Sequence, residues 1–316
     1  MKPRRNPRRP RTLDSFKLFA ILGTWMEGDV VRATVQNAFA QGCDRVFLFD
    51  NDSADDTVEE AVAGGAELVE SFPTEREELD RMTVLMNEKV ARISEAAGDE
   101  HIWWLWIDAD EFPHGPRGLT VREFLATLDA SFRLVGSRFF DHYPSEQPHY
   151  VRGFHPLDFQ PLATERIGGV CWSWHYKHPL QRFDRNGATL TADCGFHVIE
   201  SQERPLLEPT ESILTHHFPW RGEETTSRRL HLLCSGDDGG SRSDPTNRSR
   251  AALFNRFRSI SAVYGGDWKA VGALGSRYVR PRWQPVPWKT LVRPEDANPP
   301  RWYGKAWSGN AEAIPS

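Results

Sequence analysis

The chain has 316 residues, 39% of them hydrophobic and 26% charged, with a net charge of −5. That is enough chain to bury a large core, and the balance excludes a disordered, collagen-like or membrane-spanning protein. Its longest strongly apolar runs, such as Ile102 to Ile107, are a handful of residues long, far short of the roughly 20 that a bilayer crossing needs.

The charge is unevenly placed. Lys2, Arg4, Arg5, Arg8, Arg9 and Arg11 stand among Pro3, Pro7 and Pro10, so the first eleven residues hold six basic side chains and no acidic one, and the remainder carries −11. No apolar stretch follows, which reads as a disordered basic tail over residues 1–13 rather than a signal peptide or a helix. Such a tail either touches anionic lipid headgroups or nucleic acid, or is a solvated leader without a specific partner. Cys43, Cys171, Cys194 and Cys234 form no CxxC pair, a pattern that fits buried thiols in a reducing compartment, with a Cys171–Cys194 bridge as the alternative.

Leu18 to Gly23 reads as a strand, and Val31, Val35, Ala38 and Phe39 mark a helix over Val30 to Gln41 that Gly42 stops. Arg45 to Asp50 is a second strand, followed by a polar turn and a short helix through Val58 and Val62 ending at Gly64 and Gly65. Ala66 to Val69 is a third strand. Leu79, Met82, Leu85, Met86, Val90 and Ile93 then line one face of a long helix. Ile102 to Ile107 is apolar on both faces, as a central strand covered on each side by helices would be. Thr120 to Glu123 is a capping-box pattern opening a helix through Leu128, and Phe132 to Phe139 supplies another strand.

This alternation implies an α/β fold: a doubly wound, mainly parallel sheet over about residues 14–140. Beyond residue 140 the pattern weakens into short strands and loops rich in Trp, His, Pro and Arg. Gly236 to Arg250 reads as a polar linker, Ala251 to Val263 as a helix, and Pro281 to Tyr303 as extended Pro- and Trp-rich chain lying on the body. The expected organisation is therefore a tail (1–13), a catalytic unit (14–235) and an irregular C-terminal extension (236–316).

Ligands of such sheets bind beyond the carboxyl ends of the strands, where Asp50 closes one strand and Asp108 another. Asp108, Asp110 and Glu111 crowd three carboxylates into four residues, which a divalent cation or a hydrogen-bond network must compensate. Asp108 and Asp110 lie two apart, so in extended chain their side chains leave on the same side. The run from Asp50 to Thr57 admits four readings. A calcium loop fails, because Ala54 and Asp55 stand where an oxygen ligand and a glycine are needed. A phosphotransferase or phosphatase of the haloacid-dehalogenase type would use Asp50 as nucleophile, although Ala54 occupies the Thr position of that motif. A solvated turn would have Asp55 or Asp56 capping the next helix.

The fourth reading is a resemblance. Phe47 to Thr57 (FLFDNDSADDT) resembles the strand-then-D-N/D-G-S-x-D-x-T signature of family-2-like glycosyltransferases of the glycosyltransferase-A fold. Trp25 to Asp29 sits where that family has Asn-Glu after its first strand, and Trp104 to Phe112 resembles its W-h-h-h-D-x-D-E-F metal motif. His217 to Arg221 (HFPWR) resembles the H-Y-P-x-R run of a bacterial branch. The departures are Met26 for Asn and Asp52 for Gly.

The resemblance implies a metal-dependent transfer of a sugar from a nucleotide-diphospho-sugar donor to a glycan, lipid-linked or other hydroxyl acceptor, with inversion, in the cytoplasm or at the inner membrane surface. Glu27, Asp50, Asn51, Asp108 and Arg221 would bind the donor. Asp108 and Asp110 would hold Mn2+ or Mg2+, with His217 or His197 as a third ligand. The base that deprotonates the acceptor would come from Asp141, Asp158 or Glu165. Trp172, Trp174, Tyr176 and Trp220 are candidate sugar platforms or core residues. Lys177 either reaches an anionic group or lies on the surface. The remaining alternatives are the Asp50-based phosphatase and a non-enzymatic binder of anionic surfaces led by the basic tail.

Overall fold

The computed structural model describes residues 11–71, 79–145, 150–165, 177–187, 189–192, 199–201, 206–235, 260–270 and 284–300. The first half follows the expected order: β1 (Lys17–Thr24), α1 (Val31–Ala40), β2 (Arg45–Asp50), α2 (Thr57–Ala63), β3 (Glu67–Ser71), α3 (Leu79–Ala97) and β4 (His101–Asp108). α1 stops where Gly42 takes φ +94° and the Cys43 amide reaches back to the Ala38 carbonyl at 3.1 Å. A side chain at Gly42 would also collide with Arg122, whose Cβ lies 2.6 Å from where a Cβ would be.

The second half contributes β5 (Glu111–His114), α4 (Val121–Ala126), β6 (Leu134–Tyr143), β7 (Leu162–Glu165), β8 (Lys177–Asp184), β9 (Leu190–Ala192), β10 (Ile199–Ser201), β11 (Ile213–His217), α5 (Glu223–Ser235) and β12 (Val286–Pro287). β6 begins two residues later than expected, because Phe132 belongs to a turn closed by its amide on the Asp129 carbonyl.

Among the described residues ten strands form one sheet in the order β12-β7-β6-β8-β4-β1-β2-β3, with β11 joining β6 to β5, while β9 and β10 pair separately. β3, β2, β1 and β4 run parallel, whereas β8 lies antiparallel between β4 and β6. The parallel part is doubly wound, and the alternation of side chains shows why. Leu18, Ala20, Leu22, Val46, Leu48, Trp103, Leu105 and Ile107 pack with Val31, Val35 and Phe124 of α1 and α4 on one face. Phe19, Ile21, Phe47, Phe49, Trp104 and Trp106 pack with Met86 of α3 on the other. β4 is thus the two-faced strand its composition demands, and the Trp104 indole N–H finds Ser94 Oγ at 2.9 Å.

A third cluster includes Phe112, Phe140, Leu214, Phe218 and Trp288. No helix among the described residues is long and apolar enough to cross a membrane. The basic residues 1–10, the linker Gly236 to Arg250 and most of the expected helix from Ala251 lie outside the described residues; its end, residues 260–264, is helical.

Candidate functional site

The register of the parallel strands sets Thr24 of β1 opposite Asp50 of β2 and Gly23 opposite Asp108 of β4. Two acidic strand ends therefore flank β1 at one rim, the rim where open parallel sheets bind ligands. Asp50 is only 1% exposed. Its Oδ2 accepts from the Ser53 amide at 2.9 Å and Ser71 Oγ at 3.2 Å, and its Oδ1 accepts from Thr24 Oγ1 at 3.2 Å. A carboxylate so enclosed braces the following loop and has no open side for in-line attack on phosphorus, which speaks against the Asp50 nucleophile of the phosphatase alternative.

The loops after β1 and β2 interlock. The Met26 amide donates to Ser53 Oγ at 2.9 Å and the Glu27 amide to Thr57 Oγ1 at 2.8 Å. Asp56 holds the N-cap position of α2 without a side-chain cap bond, and the Thr57 amide donates to Asp55 Oδ1 at 3.2 Å. Met26 and Asp52, the two departures from the resembled signature, have φ of 55° and 50°. Asn and Gly, the residues of the signature there, favour that left-handed region, so the backbone keeps the turn with less suitable side chains. A Cβ at Gly28 would fall 2.2 Å from Asp56 Oδ1, so the Asp56 side chain would have to move aside.

β4 ends at Asp108, Ala109 and Asp110 form a turn, and Glu111 opens β5. The Asp108 side chain is 46% exposed, that of Glu111 only 2%. Lys177, the first residue of β8, reaches both, with Nζ 2.7 Å from Asp108 Oδ2 and 2.5 Å from Glu111 Oε1. Burial pushes Glu111 up to about 7 against the pull of Lys177. Burial would lower the Lys177 ammonium, yet Asp108 and Glu111 hold it above its ordinary value.

His217 ends β11, in register with Asp141 of β6 on one side and Glu111 on the other. Its Nδ1 lies 2.6 Å from Asp141 Oδ1 and its Nε2 faces Asp110 Oδ1 at 3.5 Å. Burial would raise Asp110, but His217, Arg221 and Arg229 keep it well below the ordinary carboxylate range. Arg221 is fully buried and fully engaged. Its Nε and Nη2 grip Asp29 at 2.7 and 3.1 Å, Nη2 also bonds Glu27, and Nη1 reaches the Phe218 carbonyl at 3.0 Å and Asp110 Oδ2 at 3.5 Å. With those donors spent, Arg221 is a buttress behind the acidic turn. Glu27 is wedged between Arg221 and Arg229, and burial pushes its carboxyl up to about 7 despite both guanidiniums.

The expected residues thus separate. Glu27, Asp110, Asp141, His217 and Arg221 form one connected network, and Asp108 stands beside it with Glu111 and Lys177. Glu165 is tied to Arg138 at 2.7 Å, and Asp158 is an exposed residue of a 3-10 turn. Trp220 is buried against Val263 and Tyr264. His197, Trp172, Trp174, Tyr176, Cys171 and Cys194 lie outside the described residues. Asp29 and Arg229 escaped the sequence reading because their partners are about two hundred residues away in the chain. Of the two expectations for Lys177, an anionic partner or a surface position, the first holds: it is buried with its ammonium on Asp108 and Glu111.

Among the described residues no three His, Cys, Asp or Glu side chains converge to cage a metal ion. The Asp110–His217 pair nonetheless suits one. A carboxylate behind the far ring nitrogen is the usual support of a metal-ligating histidine, and hard ions of the Mg2+ kind take one or two carboxylates and complete their shell with water and substrate phosphates.

No known protein-family model and no curated protein sequence matches the chain. Among solved structures it is similar to glucosyl-3-phosphoglycerate synthase from Mycobacterium tuberculosis in complex with Mn2+, uridine-diphosphate and glucosyl-3-phosphoglycerate, at 20% identity and a TM-score of 0.26, over 39% of this chain and 44% of that one. The same enzyme with Mg2+ and uridine-diphosphate matches at 19% identity and a TM-score of 0.26, over 39% and 43%. A structure described as a mycobacterial protein matches at 19% and a TM-score of 0.26, over 41% and 42%. The chain spans less than half the length of these structures.

Proposed function

We propose that this protein transfers a glycosyl group from a nucleotide-diphospho-sugar to a hydroxyl acceptor, with Mn2+ or Mg2+ at the rim formed by β1, β2 and β4. The observation that carries the reading is the placement of Asp110, low in pKa and flanked by His217, beside a half-exposed Asp108 at the carboxyl edge of a parallel sheet. Breaking the bond between sugar and diphosphate develops negative charge on the leaving oxygens, and a divalent ion stabilises that charge electrostatically.

Asp110 and His217 would hold the ion, with Asp108 at its open side. Asp141 fixes the His217 ring, and Arg221, itself locked by Asp29 and Glu27, fixes the turn that carries Asp110. Asp50 shapes the loop of Asn51, Asp52 and Ser53, which faces the nucleoside in this reading. Asp141, one of the three base candidates, is thereby engaged as the support of His217.

Calorimetric titration with UDP and GDP, with and without Mn2+, tests this. Wild-type protein is expected to bind a nucleoside diphosphate in a Mn2+-dependent manner, and Asp110→Asn to weaken that binding at least tenfold. Absence of metal-dependent binding of either nucleotide would remove the proposal.

A further inference from the structure

Lys177 combines features that a surface lysine or a plain core ion pair would not share. Its side chain is 6% exposed, its Nζ stands 5.5 Å from the centre of the Phe139 ring, and its two carboxylate partners differ sharply in access to solvent. Glu111 is sealed, with Oε1 on the ammonium at 2.5 Å and Oε2 accepting from the Asp108 amide at 3.3 Å. Asp108 is nearly half exposed and meets the ammonium through Oδ2 at 2.7 Å. The inner bond is shielded from water, whereas the outer one lies open to it. An ammonium is a compact charge with three donors on a flexible stem, so it can leave Asp108 while keeping Glu111.

We propose, resting on the functional reading above, that Lys177 is a positioning residue which holds Asp108 in the free protein and turns to the donor's diphosphate when a divalent cation engages that carboxylate. Lys177 and the cation compete for one carboxylate oxygen, while Lys177 and the diphosphate attract each other. Removing the lysine therefore moves the two affinities in opposite directions.

The experiment measures Mn2+ binding alone, and UDP and GDP binding at saturating Mn2+, for wild type, Lys177→Met and Lys177→Arg. Lys177→Met is expected to bind Mn2+ alone at least tenfold more tightly and the nucleotide at least tenfold more weakly, with Lys177→Arg recovering nucleotide binding. Unchanged or weaker Mn2+ binding in folded Lys177→Met overturns the proposal. Should that variant not fold, Asp108→Asn decides. With the competing carboxylate gone and the lysine retained, UDP or GDP without Mn2+ is expected to bind several-fold more tightly than to wild type, and no gain overturns the proposal. Wild-type protein that binds neither nucleotide with Mn2+ would instead overturn the functional reading itself.

Discussion

At the scale of single residues, β5, β6 and β11 bring three buried imidazoles into a chain. His114 Nε2 meets His216 Nε2 at 3.1 Å, and His216 Nδ1 meets His142 Nε2 at 2.7 Å. The outer rings are anchored through Nδ1 on the Gly115 and Gln160 carbonyls, each at 2.7 Å, which turns both Nε2 lone pairs toward His216. Burial lowers His114 and His142 to about 4, outweighing those carbonyls and the pull of Asp296 on His114 and of Asp141 on His142, while His217 pushes His142 further down. An unfolded histidine takes up a proton below about 6.5, whereas native His142 does so only near 4. Its contribution to stability is therefore complete above pH 6.5 and is lost as the pH falls toward 4, by about 3 kcal/mol in the limit. His142→Gln lacks that slope. Urea unfolding of the two proteins at pH 7, 5.5 and 4.5 is expected to show a deficit of the variant that is largest at pH 7 and shrinks on acidification. A deficit that stays constant or widens would show that native His142 takes up its proton at or above the ordinary histidine pKa.

At the scale of elements, α4 shows how much a local signal decides. Thr120 Oγ1 accepts from the Glu123 amide at 3.1 Å, and Glu123 Oε2 accepts from the Thr120 amide at 2.8 Å, the reciprocal pair that the T-V-R-E pattern predicts. A six-residue helix has too few internal bonds to persist alone, so the cap and the burial of Val121, Phe124 and Leu125 hold it together. Thr120→Ala is expected to cost about 1 kcal/mol in urea unfolding, with nucleotide binding unchanged. Elements of this kind were legible because their signals are local: a cap, a stop glycine, a period of 3.6, a two-faced apolar run. β8 and β11 carry no such marks. β8 reads Lys-His-Pro-Leu-Gln-Arg-Phe-Asp, and β11 ends in two histidines. They are strands because β4 and β6 offer paired edges to them, a tertiary cause that composition does not encode. The same reason divides the candidate site. Asp108, Asp110 and His217 stood out as motif residues, whereas Lys177, Asp29 and Arg229 acquire meaning only through partners that the fold brings to them.

For the whole molecule, the question is what joins the parallel half to the half that supplies His217. Residues 284–300 lie across both, with 3-10 turns at Trp288–Thr290 and Pro294–Asp296 where extended chain is expected. Val286 pairs with Ala163 of β7, and the Trp288 amide donates to the Pro161 carbonyl at 2.8 Å. On the other side, Asp296 accepts from the Arg117 amide at 2.5 Å, and the Pro300 carbonyl accepts from Gln41 Nε2 at 2.5 Å, just past α1. Trp288 is the pin: it is 3% exposed and meets the His216 ring edge-on at 4.8 Å, next in the chain to His217. Truncating a buried indole costs about 3–5 kcal/mol through lost burial and the cavity left behind, so Trp288→Ala is expected to lose stability in that range. Because the cavity opens beside His216, the loss is expected to come with weaker Mn2+-dependent nucleotide binding under conditions where circular dichroism shows the variant folded. A stability loss below about 1 kcal/mol, or full stability loss with nucleotide affinity intact, would mean that the segment only covers the core and does not hold His217 against Asp110.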